Sequence, residues 1–238
     1  MALKSWKKKQ TPLDKEMLHL KSELIKMWEL VLSQLRKAEE ALTKKDKDLA
    51  REVVSTEKRV NGYELKIDSD CEDILALFAP VAVDLRFLLA VLKINMNLER
   101  TGDIAEGIAK FVIGLPEGFD IQLLEITRAN EMFKQGNEMI SEVMEAFEKE
   151  DTLLARKVFK KDDLLDDINK NAATVIAEYI SKNPSKIESA LYILSSIRKL
   201  ERVGDQAKNM AEEIIFYSEA KVLKHKSKSK KNKNEDEE

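Results

Sequence analysis

The phrase Leu98-Glu99-Arg100-Thr101-Gly102-Asp103 returns 102 residues later as Leu200-Glu201-Arg202-Val203-Gly204-Asp205, changed only from Thr to Val. A six-residue phrase repeated at that distance in a chain of 238 residues marks an internal duplication. The fold therefore has to be built twice from one unit of about 100 residues, each large enough to bury a core of its own. Each copy also sets one carboxylate at Glu99 or Glu201 and another four residues on, at Asp103 or Asp205. On a helix these two acids stand one turn apart on one face.

Seven Gly and four Pro leave little turn chemistry in a chain rich in Leu, Ala, Glu and Lys, so long helices with few loops are expected. Thr11 followed by Pro12 reads as an N-cap and first helical residue, and Leu13, Met17, Leu20, Leu24, Met27, Val31, Leu35, Ala38 and Leu42 follow at spacings of three and four. That is an amphipathic helix of about eight turns. Asp46 or Asp48 caps a second helix that runs to about Ala79, before Pro80, and a third spans about 83–113, before Gly114 and Pro116.

A fourth helix over 121–150, a fifth from a cap at Asp151 to Asn183 and a sixth from Pro184 to about Tyr217 complete the second unit. The segment 43–51 is echoed by 148–156 at an offset of 105, so three residues are lost from the second copy before its hexapeptide, at the turn near Pro184. The expected fold is all-α, two tandem three-helix bundles over 11–116 and 117–220. A basic extension, 1–10, precedes them and a disordered charged tail, 221–238, follows.

Net charge is −3, and setting aside the seven Lys and four acids of the tail leaves −6 on the body, which argues against nucleic acid as a partner. Cys71 is the single cysteine, so neither an internal disulfide nor a Cys-based zinc site is available, and a reducing compartment, the cytoplasm, is the expectation. The longest uncharged stretch, 74–83, is too short to span a bilayer, and 1–10 lacks the apolar core of a signal peptide.

Stepping along the second helix by threes and fours from Leu49 places Glu57 and Glu64 among the apolar positions of the inner face. The third helix does the same, its stripe through Leu85, Leu88, Leu92 and Met96 continuing onto Glu99 and Asp103. Carboxylates directed inward need partners. The offset of 105 puts Asp162, Asp166 and Asn169 where the first copy has Glu57, Asn61 and Glu64.

Two facing sets result: Glu57, Asn61 and Glu64 opposite Glu99 and Asp103, and Asp162, Asp166 and Asn169 opposite Glu201 and Asp205. Oxygen-only sets of this kind suit hard cations such as Fe³⁺, Mn²⁺, Mg²⁺ or Ca²⁺. The competing reading is a solvated charged face laced with Lys and Arg. Arg100 and Arg202, each following a site glutamate, are expected to neutralise the cluster or to ion-pair across helices. His19 and His225 are the only histidines, and no Glu-x-x-His pair of a di-iron bundle exists. A phosphate-binding Gly-rich loop, a nucleophile elbow and a Cys–His pair are also missing, so no enzymatic activity is expected.

Pro80-Val81-Ala82-Val83-Asp84-Leu85-Arg86 and the two Leu-Glu-Arg-x-Gly-Asp phrases, the second with Asn209, together resemble the PhoU family of bacterial phosphate-signalling proteins, over about 13–217. The resemblance implies a homodimeric regulator that links the phosphate ABC transporter to a sensor histidine kinase and restrains phosphate uptake, reaching the membrane only through those partners. It also implies metal clusters on Glu57, Asn61, Glu99, Asp103, Asp162, Asp166, Glu201 and Asp205. Asn61 stands where the family pattern has an acid, and Gly107 where the second copy has Asn209, which implies a weaker or differently occupied first cluster. A metal-dependent phosphate-ester hydrolase and a metal-free helical scaffold are the alternative readings.

Overall fold

The computed structural model describes residues 11–223, all helix, turn and loop, with no strand among them; the extension 1–10 and the tail from residue 224 lie outside the described residues. The first helix, α1 (Pro12–Lys44), opens on a capping box. Thr11 Oγ1 accepts from the Asp14 backbone N–H, and Asp14 Oδ2 accepts from the Thr11 N–H at 2.8 Å. α2 (Lys47–Phe78) starts from Asp46, whose carboxylate accepts from the N–H groups of Asp48 and Leu49. It ends in left-handed Ala79 before Pro80, and α3 (Ala82–Gly114) returns alongside it.

The second unit departs from the expected pair of uninterrupted helices before its last. The fourth expected helix is two, α4 (Ile121–Ile126) and α5 (Ala129–Lys149), parted where Thr127 Oγ1 donates back to the Leu123 carbonyl at 2.6 Å and Arg128 turns left-handed at φ 57°. The fifth is also two, α6 (Thr152–Val158) and α7 (Asp162–Lys182). Arg156 and Lys157 close the last turn of α6 while Asp162 and Asp163 open the first of α7, an arrangement of charge that the helix dipoles favour at an end and a start. A 3-10 turn at Pro184–Lys186 then leads into α8 (Ile187–Glu219).

α1, α2 and α3 form one bundle, and α5, α7 and α8, with α6 completing the middle arm, form the other. The bundles share a single hydrophobic core because α1 packs on α5 and α3 on α8. Trp28, fully buried, donates from Nε1 to the Ile140 carbonyl at 3.1 Å and packs on Phe147 at 5.8 Å between ring centroids; Phe147 in turn meets Phe87 and Tyr217, these three rings lying 5.5 to 6.2 Å apart. Along α3 and α8 the pairs Lys93–Glu213, Asn97–Asn209 and Phe111–Tyr192 show that these helices run antiparallel. Each hexapeptide thus lies midway along one of the two central helices. No helix of the described residues is long and apolar enough to cross a membrane.

Candidate functional site

Gly102 and Gly204 explain why the repeated phrase needs a glycine. A Cβ at Gly102 would lie 2.9 Å from Glu57 Oε2, and one at Gly204 would lie 2.5 Å from Asp162 Oδ1. Each glycine lets a carboxylate from the neighbouring helix press against the backbone of α3 or α8. The expected pairing of Glu57 with the first phrase and Asp162 with the second is therefore present in space.

In the first cluster Glu57 is buried, 5% exposed, and its Oε2 accepts from Gln34 Nε2 at 3.0 Å. Gln34 also donates to the Val53 carbonyl, so α1 anchors the carboxylate of α2. Glu57 Oε1 is buried with no hydrogen-bond partner. Burial, with Asp103 and Glu106 adding repulsion, pushes the Glu57 carboxyl up to about 7.

Half-buried Glu99 is likewise pushed up to about 7, by desolvation first and then by Asp103, Glu64 and Glu57; in its protonated form it donates to Asp103. Glu64 is raised by burial and by Asp68 and Asp103. Next to it, buried Asn95 donates to the Glu64 backbone carbonyl and to Asp68 Oδ1, both at 2.9 Å, tying α3 to α2.

In the second cluster Asp162, 4% exposed, also holds one oxygen, Oδ1, without a partner. Its other oxygen is ion-paired with Lys208, which reaches Asp205 Oδ1 at 2.8 Å as well. Burial raises the Asp162 carboxyl, Lys208 opposes that rise, and Asp166 and Asp205 add to it. Glu201 is raised by burial and by Asp205, Asp166 and Asp162.

Of the residues expected at these sites, Glu57, Glu64, Glu99 and Asp103 gather in one cluster, and Asp162, Asp166, Glu201 and Asp205 in the other. Asn61 is exposed and Asn169 half-buried, and neither side chain forms a hydrogen bond with the described residues. Arg100 and Arg202, expected to neutralise the acids or to ion-pair across helices, form no ion pair among the described residues. They line a groove of about 270 Å³ between α3 and α8 with Asp103, Glu106 and Lys199. Gly107, across from Lys199, leaves room for its ammonium, since a Cβ there would lie 2.6 Å from Nζ. His19 is exposed on α1, outside both clusters.

The first cluster fits a hard cation: a buried carboxylate oxygen without a partner, a cradle that a Cβ would fill, and an oxygen-only donor set. Among the described residues no three His, Cys, Asp or Glu side chains are drawn in to chelating distance around one point. Gln34, Glu106 and Lys208 were not singled out from the sequence. Gln34 is three residues past Val31 on the apolar stripe of α1, and Lys208 is three past Asp205 where the first copy has Glu106.

An all-helical bundle built twice from one unit, whose central helices each carry paired carboxylates over a buried acid, defines a class of tandem helical-repeat proteins. The PhoU domain matches this chain twice, over residues 24–112 and 129–214. The chain belongs to the PhoU family.

A relative from Aquifex aeolicus, a phosphate-specific transport system accessory protein PhoU homolog, is 35% identical over 211 residues, covering 89% of this chain and 95% of the relative. PhoU homolog 1 of Thermotoga maritima is 31% identical, with 89% and 90% covered. The crystal structure of PhoU from Pseudomonas aeruginosa superposes with a TM-score of 0.83 at 33% identity, over 87% of this chain and 99% of that one. That of the phosphate transport system regulatory protein PhoU from Streptococcus pneumoniae gives 0.77 at 27% identity, over 89% and 99%.

Proposed function

We propose that this chain is an accessory regulator of phosphate transport that joins a phosphate ABC transporter to a sensor histidine kinase and restrains uptake when phosphate is plentiful. The observation that carries this reading is the match of both repeats, over nearly the full length of relatives named as accessory proteins of the phosphate-specific transport system. The geometry supports regulation over catalysis. The buried acids are held by neighbouring helices, and the groove between the clusters is shallow and rimmed by charges of both signs.

We further read the first cluster as the seat of a hard cation, with Glu57, Glu64, Glu99 and Asp103 as its ligands. When bound, such a cation supplies the positive charge that this cluster lacks. Glu57 and Glu64 of α2 and Glu99 and Asp103 of α3 would hold it as ionised carboxylates, joining the two helices. Gln34 keeps Glu57 turned toward α3 throughout.

Affinity purification of the tagged chain from phosphate-replete membranes tests the partner assignment. Phosphate-transporter subunits and a histidine kinase are expected in the eluate, and recovery of neither overturns it.

A further inference from the structure

We propose that the two clusters take different occupants: the first takes a hard cation, and the second is closed by the chain's own Lys208, whose ammonium stands where that cation would act. This inference rests on the metal reading of the first cluster.

Lys208 lies one turn past Asp205 on α8 and bridges two helices, pairing with Asp162 of α7 and with Asp205. At the equivalent place, 102 residues earlier, α3 carries Glu106. The first cluster thus gains a carboxylate where the second gains an ammonium. Glu106 draws Lys110 at 2.6 Å, but that lysine is exposed and its ion pair is with Glu106 alone.

The third helix of each bundle also contributes differently. Gln34 of α1 gives Glu57 a neutral amide, whereas the corresponding position in α5 is Met139, whose methyl lies 3.7 Å from where a Gly204 Cβ would be. Asp162 therefore depends on Lys208, whereas Glu57 forms no ion pair among the described residues and feels the charge of Lys110 only at a distance.

Among the described residues no Lys or Arg is ion-paired with Glu57, Glu64, Glu99 or Asp103, so a cation entering the first cluster breaks no ion pair of these four acids. To enter the second it must first break a half-buried ammonium away from two carboxylates, one of them 4% exposed, and leave that ammonium without its partners. Asn61, which by composition alone weakens the first cluster, stands exposed at its edge and does not alter this order.

The test is Mn²⁺ binding to the metal-stripped full chain at pH 7.5, followed by paramagnetic resonance and by metal content after gel filtration. Glu99→Gln and Glu201→Gln are equivalent substitutions in the two repeats. In the wild-type background Glu99→Gln is expected to weaken Mn²⁺ binding by about tenfold or more, with Glu201→Gln leaving it unchanged. Lys208→Gln should raise the Mn²⁺ bound per chain and make the added fraction sensitive to Glu201→Gln, while Lys208→Arg keeps the wild-type content.

Should Lys208→Gln fail to fold, Glu106→Lys, at a half-buried position, moves the ammonium into the first cluster and is expected to abolish binding there. Equal loss from Glu99→Gln and Glu201→Gln in the wild-type background, or full Mn²⁺ retention in Glu106→Lys, overturns the inference while leaving the metal reading intact. A wild-type chain that binds no Mn²⁺, Fe³⁺, Mg²⁺ or Ca²⁺ overturns both.

Discussion

Substituting alanine at three helical glycines separates a glycine that the site needs from one that the helix merely tolerates. Gly62 has nothing within 4 Å of a built Cβ, so Gly62→Ala should stabilise the fold by about 0.5–1 kcal/mol, the gain in helix propensity. At Gly204 the same methyl would lie 2.5 Å from Asp162 Oδ1 and 2.6 Å from Leu165 Cδ1. The carboxylate cannot swing away without loosening Lys208, and Leu165 is fully buried.

Overpacking of this kind costs about 1–3 kcal/mol, which offsets the propensity gain and leaves Gly204→Ala up to about 2 kcal/mol less stable than wild type. Gly102 should fall between, because its nearest neighbours are the ends of two longer side chains, Glu57 Oε2 at 2.9 Å and Gln34 Oε1 at 3.2 Å. Urea denaturation at pH 7.5, with unchanged slope, reads the order Gly62→Ala, wild type, Gly102→Ala, Gly204→Ala from most to least stable. A Gly204→Ala protein as stable as Gly62→Ala refutes the claim that the glycine exists to admit the acid.

Two further outcomes follow from the packing. Glu57 is pushed from 4.5 up to about 7 in the folded chain, so between these values the native state holds a proton that the unfolded state has released, and stability falls as pH rises. In metal-free protein this loss is at most about 3 kcal/mol and levels off above pH 7; Glu57→Gln should remove it, and parallel stability–pH curves for the two proteins would contradict the assignment. Trp28→Phe deletes the hydrogen bond from α1 to the Ile140 carbonyl, a buried tie between the two repeats, and is expected to cost about 1–2 kcal/mol in the same denaturation assay.

The duplication was legible because a six-residue phrase survived in both copies, and it carried the fold with it: two three-helix units and facing acids. Glu57 and Asp162 could be placed because each interrupts an apolar stripe, a conflict that only burial with partners resolves. The breaks at Arg128 and at 159–161 went unseen since hydrophobic periodicity runs on across both. The second was written in charge, with Arg156 and Lys157 followed by Asp162 and Asp163.

Gln34 and Lys208 escaped for a different reason. A polar residue on one helix gains meaning only from what the neighbouring helix brings to it, and neither residue belongs to the repeated phrase. The arginines of that phrase, Arg100 and Arg202, mislead in the opposite sense, since adjacency in sequence to Glu99 and Glu201 turns them onto another face of the helix.

Phosphate uptake in phosphate-replete cells lacking this chain tests the account at its centre. The account predicts that uptake is derepressed in the deletion strain and returns to its restrained level when the wild-type chain is restored. Uptake that is the same with and without the chain would contradict it.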